Sequence, residues 1–327
     1  MGTRYDAAEP AAQISVEQHD SVLIARIDGG DLGTFSLSLA DALDQLVEQA
    51  EQDPKVRSVV LTGTHPSRFI SHADIKWLQE GGAESPSVGL RAASGIAKAA
   101  VLGRVRELTP AVRRTPLWGA VQLDRLHNTL LQMNRSSVVY VAALNGSALG
   151  FGAELAWACD VRVMADGDDF FIGQPEVLLG FNPGGGGTQR LARLIGGHRS
   201  LMAMLEGRPL HGPEALRIGA IDELVPQEQV MDRAVALGNS LGSRPPLATA
   251  AIKRAVYIGG TMSLPDGLEF ERKEFLAVLH TREAQELMKA YRRDTLQHNE
   301  LPFYEPSSYD AALSAGRYVE NGHEEAP

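Results

Sequence analysis

The sequence predicts an α/β fold made of repeated strand-strand-helix units and completed by a helical C-terminal region. Three observations predict it. Residues 14–61 read as two strands, a helix and a further strand. A similar layout returns after residue 138, and from residue 197 onward the apolar spacing is mostly helical.

Residues 14–19 and 22–28 alternate or run apolar on either side of His19-Asp20, which predicts a hairpin. Leu39, Leu43, Leu46, Val47 and Ala50 then share one face of a helix that Asp53-Pro54 ends. The next strand is 56–61, closed by Thr62-Gly63. The second unit comprises strand 138–143, helix 152–158 and strand 160–165. It repeats the layout of the first, not its residues. Between the units, segments 88–108 and 121–133 are predicted helices separated by breakers that include Pro110 and Pro116. Four glycines, 184–187, open onto a helix at 188–195. They resemble a phosphate cradle, but the Gly-x4-Gly-Lys-Ser/Thr pattern is missing, and a loop in close backbone contact with a neighbouring element is the better reading.

Further helices are predicted at 198–206, 213–218, 227–241, 247–257 and 264–280, with a strand at 221–225 among them. The last of these helices starts with Pro265 and an acidic first turn, and its Leu268, Phe275, Leu276 and Leu279 need a partner surface, such as that of another subunit. The predicted organisation is a core at 14–226 with a helical insertion at 81–135, a C-terminal helical region at 227–295, and flexible termini at 1–13 and 297–327.

A chain of 327 residues, 44% hydrophobic, is long enough to bury a large core. No apolar run approaches a membrane span, and the N-terminal residues lack the layout of a secretory signal, so a cytoplasmic protein is expected. The single cysteine, Cys159, excludes an intrachain disulfide and a cysteine-based metal site, and reads as a small core residue. A net charge of −10 argues against nonspecific nucleic-acid binding. Arg104, Arg106, Arg113 and Arg114 are a local exception, read first as a solvated face.

Two acids stand in unusual settings. Glu154 follows a glycine-rich turn among Phe151, Leu155, Ala156 and Trp157; Glu176 follows Pro175 in the otherwise apolar FFIGQPEVLLG. Desolvation should hold such carboxyls protonated to a higher pH, and two carboxyls whose pKa values are separated can divide acid and base work. The alternatives are that Glu154 complements a helix N-terminus and that Glu176 is an ordinary loop acid. Backbone N–H groups at the glycine turns could also form an oxyanion hole.

The stretches VVLTG, FISHADIKWL, VAALNGSALGFGAELAWACDVRV, FIGQPEVLLGFNPGGGGTQRLARLIG and ALRIGAIDELVP together resemble the crotonase family, the enoyl-CoA hydratase and isomerase superfamily, over most of residues 14–290. The resemblance implies a spiral of ββα units forming two sheets, with C-terminal helices that build a homotrimer or a dimer of trimers. It implies an acyl-CoA substrate, as in fatty acid metabolism, with no metal and no separate cofactor, coenzyme A being part of the substrate. By position, the backbone N–H groups of Ala73 and Phe151 would form the oxyanion hole. Ala73, Asp74, Ile75, Lys76 and Gly150 would contact substrate, and Glu154 and Glu176 would be the catalytic acids of a hydratase.

His72 stands where the family often has glycine, Phe151 replaces a common glycine, residues 28–33 read DGGDLG in place of the usual Asn-Arg-Pro, and the stretch between Lys76 and Asn145 is longer than usual. The rival readings are another reaction on an acyl-CoA, isomerisation or C–C hydrolysis with His72 recruited, and a non-catalytic acyl-CoA-binding or interaction protein.

Overall fold

The apolar runs form two sheets of unequal size. In the computed structural model, which describes residues 13–83, 89–103 and 118–320, six strands make the larger sheet in the order β1-β2-β3-β5-β7-β10. They are β1 (Gln13–His19), β2 (Val22–Asp28), β3 (Ser58–Gly63), β5 (Val139–Leu144), β7 (Val161–Asp166) and β10 (Glu223–Pro226). The β1-β2 hairpin is antiparallel, and every later pairing in this sheet is parallel. Strands β3 and β5 are buried along their whole length, which explains why SVVLTG and VYVAAL are largely apolar without alternation.

The smaller sheet, β4-β6-β8-β9, consists of β4 (Arg68–Ile70), β6 (Ser147–Leu149), β8 (Phe171–Gly173) and β9 (Leu210–His211). Residues 1–12, the arginines at 104–114, Pro110, Pro116 and residues 321–327 lie outside the described residues.

Helix α1 (Leu37–Gln52) starts where the Ser36 hydroxyl accepts from the Leu39 N–H, and it buries the five apolar residues read from the sequence. Helices α2 (Ile75–Ala83), α3 (Leu90–Gly103) and α4 (Trp118–Arg135) follow β4. The short α5 (Phe151–Ala158) is buried on every side. Next come α6 (Gly187–Ile195), α7 (Gly197–Glu206), α8 (Gly212–Ile218) and α9 (Val230–Gly242). The main core lies between the two sheets and gathers α1, α4 and α5; a second core forms where Val230 and Ala234 of α9 pack against Val60, Val141 and Val163 of the large sheet. Cys159 is a buried free thiol, as its context predicts.

The C-terminal part is helical: α10 (Pro246–Tyr257), α11 (Leu264–Leu279), α12 (Arg282–His298) and α13 (Pro306–Ala315). Asp160, beside Cys159, ties α10 to the core by accepting from Lys253 Nζ at 2.6 Å, the Tyr257 hydroxyl at 3.1 Å and the Tyr140 N–H at 2.9 Å. Leu264, Leu268, Phe275 and Leu276 of α11 are exposed in the single chain. The segment after residue 297 corrects an expectation. As far as residue 320 it folds back, with Tyr291, Phe303, Tyr309 and Tyr318 in mutual ring contact and the Tyr318 hydroxyl on the buried Asp294 carboxylate. Widely spaced aromatics in a polar tail gave no periodic signal, yet they anchor it. Among the described residues no helix is long and apolar enough to cross a membrane.

Candidate active site

The chain leaves β6 at Leu149 and turns into α5 through Gly150, whose φ of +51° suits glycine. A side chain there would also start 3.1 Å from Glu176 Oε1 and 3.3 Å from the Cβ of His72. Gly150 therefore marks where β4, β6 and the segment after β8 converge. The positive φ falls on Gly150 and not on Phe151, so a phenylalanine is accommodated at the next position. The Gly150 carbonyl accepts from the Glu154 N–H and from Gln174 Nε2, both at 3.0 Å.

Glu154 lies in the first turn of α5 and is 2% exposed. Its carboxylate accepts from the Gly185 N–H at 2.8 Å on each oxygen and from the Gly187 N–H at 2.7 Å on Oε1. Gly187 is the first residue of α6, so the carboxylate faces the positive end of the following helix rather than of its own. A Cβ on Gly185 would fall on Glu154 Oε2 and lie 2.9 Å from the Phe151 ring. The four-glycine run is thus a loop in close backbone contact with α5. Burial pushes the Glu154 pKa up, and the Gly187 and Gly185 donors, with the positive charge of His127 and Arg190, pull against it.

Helix α4 braces this loop at two points. His127 Nε2 lies 2.6 Å from the Gly184 carbonyl, and the Asn134 carboxamide accepts from Arg190 Nη2 at 3.0 Å while donating to the Ala158 carbonyl at 2.8 Å.

Glu176 opens a short 3-10 helix, Glu176–Leu179, behind Pro175. It is 7% exposed, and its Oε2 is buried with no hydrogen-bond partner among the described residues. Burial, followed by the negative charge of Glu154, pushes its pKa up to about 7, against the pull of its own backbone N–H. The two predicted acids are therefore buried together, and the charge of one disfavours ionisation of the other.

The raised Glu176 pKa has a consequence for stability. Between its ordinary value and about 7 the unfolded chain releases this proton before the folded one does, so stability falls as pH rises through that window. Glu176→Gln should raise stability by roughly 1–2 kcal/mol at pH 8, after allowance for solvent screening, and leave it nearly unchanged at pH 4. Urea unfolding at the two pH values measures the difference.

Ala73 follows β4 and forms an isolated parallel bridge with Phe35. Phe35 N–H donates to the His72 carbonyl at 2.8 Å and Phe35 C=O accepts from the Asp74 N–H at 2.9 Å, which turns the Ala73 N–H away from Phe35. Phe151 is the first residue of α5, where an N–H has no partner inside the helix. Among the described residues neither N–H donates a hydrogen bond. The Phe35 and Phe151 rings meet with centroids 4.3 Å apart.

Of the remaining predicted residues, Asp74 accepts from the Lys76 N–H at 2.8 Å ahead of α2, and Ile75 and Lys76 are exposed. His72 Nδ1 lies 2.7 Å from the Ala73 carbonyl, which places the imidazole hydrogen on Nδ1, and the residue lines a cavity of about 650 Å³ with Thr34, Ser71, Leu149 and Phe171. Sequence reasoning missed Gly185 and Gly187 as donors to Glu154, and Gln174 and His127 as side chains bonded to the Gly150 and Gly184 carbonyls. The glycine run pointed to two of them, and a lone histidine in a helix carries no motif. No group of three or more His, Cys, Asp or Glu side chains among the described residues could hold a metal ion.

Comparison with known proteins decides the family. The model of the enoyl-CoA hydratase/isomerase family matches residues 114–298, more than half of the chain. The chain belongs to the enoyl-CoA hydratase/isomerase family. It is 31% identical over 274 residues to a probable mitochondrial enoyl-CoA hydratase of Dictyostelium discoideum, covering 82% of this chain and 84% of that one. It is also 30% identical over 249 residues to the short-chain-enoyl-CoA hydratase of Clostridium acetobutylicum, covering 76% and 82%. An enoyl-CoA hydratase structure from Bacillus anthracis superposes with a TM-score of 0.67 at 26% identity, over 89% of this chain and 98% of that one. The match to the fatty acid oxidation complex alpha subunit of Idiomarina loihiensis, 34% identical over 220 residues, spans only 26% of that protein's length. Family membership, the two-sheet α/β fold and a helical C-terminal region agree with the resemblance seen in the sequence.

Proposed function

We propose that this family member is a hydratase-like lyase that adds water across the double bond of a 2-enoyl-CoA thioester. The observation that carries the reading is the pair of buried carboxyls, Glu154 and Glu176, beside two unoccupied backbone donors on Ala73 and Phe151. The thioester oxygen accepts from those two N–H groups, which stabilise negative charge as the enolate develops. A water held by both acids gives its proton to Glu154 as its oxygen bonds to C3, while Glu176 delivers its proton to C2. One proton is gained and one lost across the pair, so hydration needs Glu176 protonated and Glu154 ionised: burial holds the Glu176 proton up to about pH 7, while the Gly187 and Gly185 donors favour the Glu154 carboxylate. Coenzyme A enters as part of the substrate, with Gly150, Asp74, Ile75 and Lys76 near the thioester end. The exposed apolar face of α11 supports assembly with further copies, in line with a trimer or a dimer of trimers.

Incubation of the protein with 2-enoyl-CoA esters from short to long in H2(18)O is expected to give 3-hydroxyacyl-CoA carrying one heavy oxygen. Glu176→Gln should reduce the yield roughly 100-fold or more. Unchanged substrate throughout would reject the proposal. A second reading, isomerisation or C–C hydrolysis, is favoured by the position of His72 against both Gly150 and the adjoining cavity. His72→Ala separates the two: it should leave hydration within a few-fold, whereas abolished turnover supports the second reading.

A further inference from the structure

The histidine on α4 meets the glycine loop at a chemically informative atom. His127 Nε2 is 2.6 Å from the carbonyl oxygen of Gly184, and the N–H of Gly185 donates to both Glu154 oxygens at 2.8 Å. That carbonyl and that N–H belong to one peptide group. The imidazole and the carboxylate are therefore joined through a single amide, with the hydrogen on Nε2 donating at one end and the amide hydrogen donating at the other. Hydrogen bonds linked in this way polarise one another, and a protonated imidazole polarises the amide more than a neutral one.

We propose that His127 is a positioning residue for Glu154, acting through the Gly184–Gly185 peptide to fix the direction of the Gly185 donor and to couple the imidazole proton to the carboxyl proton. The effect has a definite sign. A stronger donor favours the carboxylate, so His127 helps Glu154 remain ionised in a pocket whose burial works the other way.

Several other charged groups lie near this chain. Arg190 and Glu176 face Glu154. Arg190 is fixed by Asn134, and on α6 Arg193 turns back to the Gln189 carbonyl. On α4 itself Asp124 lies one turn before His127, and Arg125 pairs with Asp41 at 3.6 Å. On α1, Asp44 accepts from Thr129 and Glu51 from Gln132, whereas Glu48 is exposed. Lys253 and Arg254 of α10 bond to Asp160 and Glu274. Arg91 and Lys98 of α3 are exposed. The inference takes the Proposed function only for the catalytic importance of Glu154; the hydrogen-bonded chain stands on geometry.

The test is an infrared difference titration of the full-length protein between about pH 4 and 10. The Glu154 carboxyl band is assigned by its loss in Glu154→Gln, and wild type, His127→Ala and His127→Gln are compared alongside hydration kinetics, with circular dichroism to verify folding. In His127→Ala the Glu154 midpoint is expected to move up by about half a pH unit or more. His127→Gln, which keeps an N–H donor, should restore most of that shift. A Glu154 band identical in wild type and folded His127→Ala overturns the proposal, even if activity falls. The expected shift without any change in turnover would leave the relay intact and reject the role assigned to Glu154 instead.

Discussion

Replacing Glu154 with Gln is expected to lower kcat/KM for hydration roughly 100- to 10,000-fold while leaving the fold intact. The Gly185 and Gly187 donors both reach Oε1, so a glutamine can place its carbonyl oxygen there and keep those two contacts, losing only the second Gly185 contact, at Oε2. What it loses is the lone pair that takes the proton from water. Stability should be nearly unchanged, because a neutral side chain replaces one whose ionised form burial disfavours, while its NH2 loses the Gly185 contact that Oε2 makes. Steady-state kinetics with a thermal melt provides the check. Activity within a few-fold of wild type would remove Glu154 from the mechanism.

Gly185→Ala is expected to be comparably damaging although it leaves both acids in the chain. Its Cβ would fall on Glu154 Oε2 and against the Phe151 ring, so either the carboxylate rotates away from its donors or the loop withdraws with the start of α6. Displacement of an acid by about 1 Å can cost about 100-fold in rate. Overpacking adds a stability loss of roughly 1–3 kcal/mol. Unlike Glu154→Gln, this variant should melt earlier, so kinetics and calorimetry together separate loss of a proton acceptor from loss of its placement. A normal melting temperature with normal turnover would contradict the tight loop described here.

The sequence exposed the large sheet because its strands are four or more residues long and the burial of the central ones, β3 and β5, leaves continuous apolar runs. The strand predicted at 56–61 begins two residues later, since Val56 N–H closes a turn onto the Asp53 carbonyl. The small sheet was invisible to periodicity, its strands being two or three residues long, and entered only through the family resemblance. That loss mattered, because His72, Gly150 and Gln174 all lie just beyond the ends of its strands. Glu154 was legible as a lone acid on an apolar helix, but its donors were not. The residues 154 and 185 meet only because α5 and the loop before α6 fold together. His127 was hidden for the same reason: a helical pattern reveals which face is buried, not which carbonyl a polar side chain at its margin will meet.

Phe35 touches both halves of the proposed oxyanion pair, through its main chain at Ala73 and its ring at Phe151. The gap between the two donors is then governed by one residue bridging two elements, in the manner of a spacer in a jig. Accuracy at the thioester would come from this shared mounting rather than from rigidity of the whole protein.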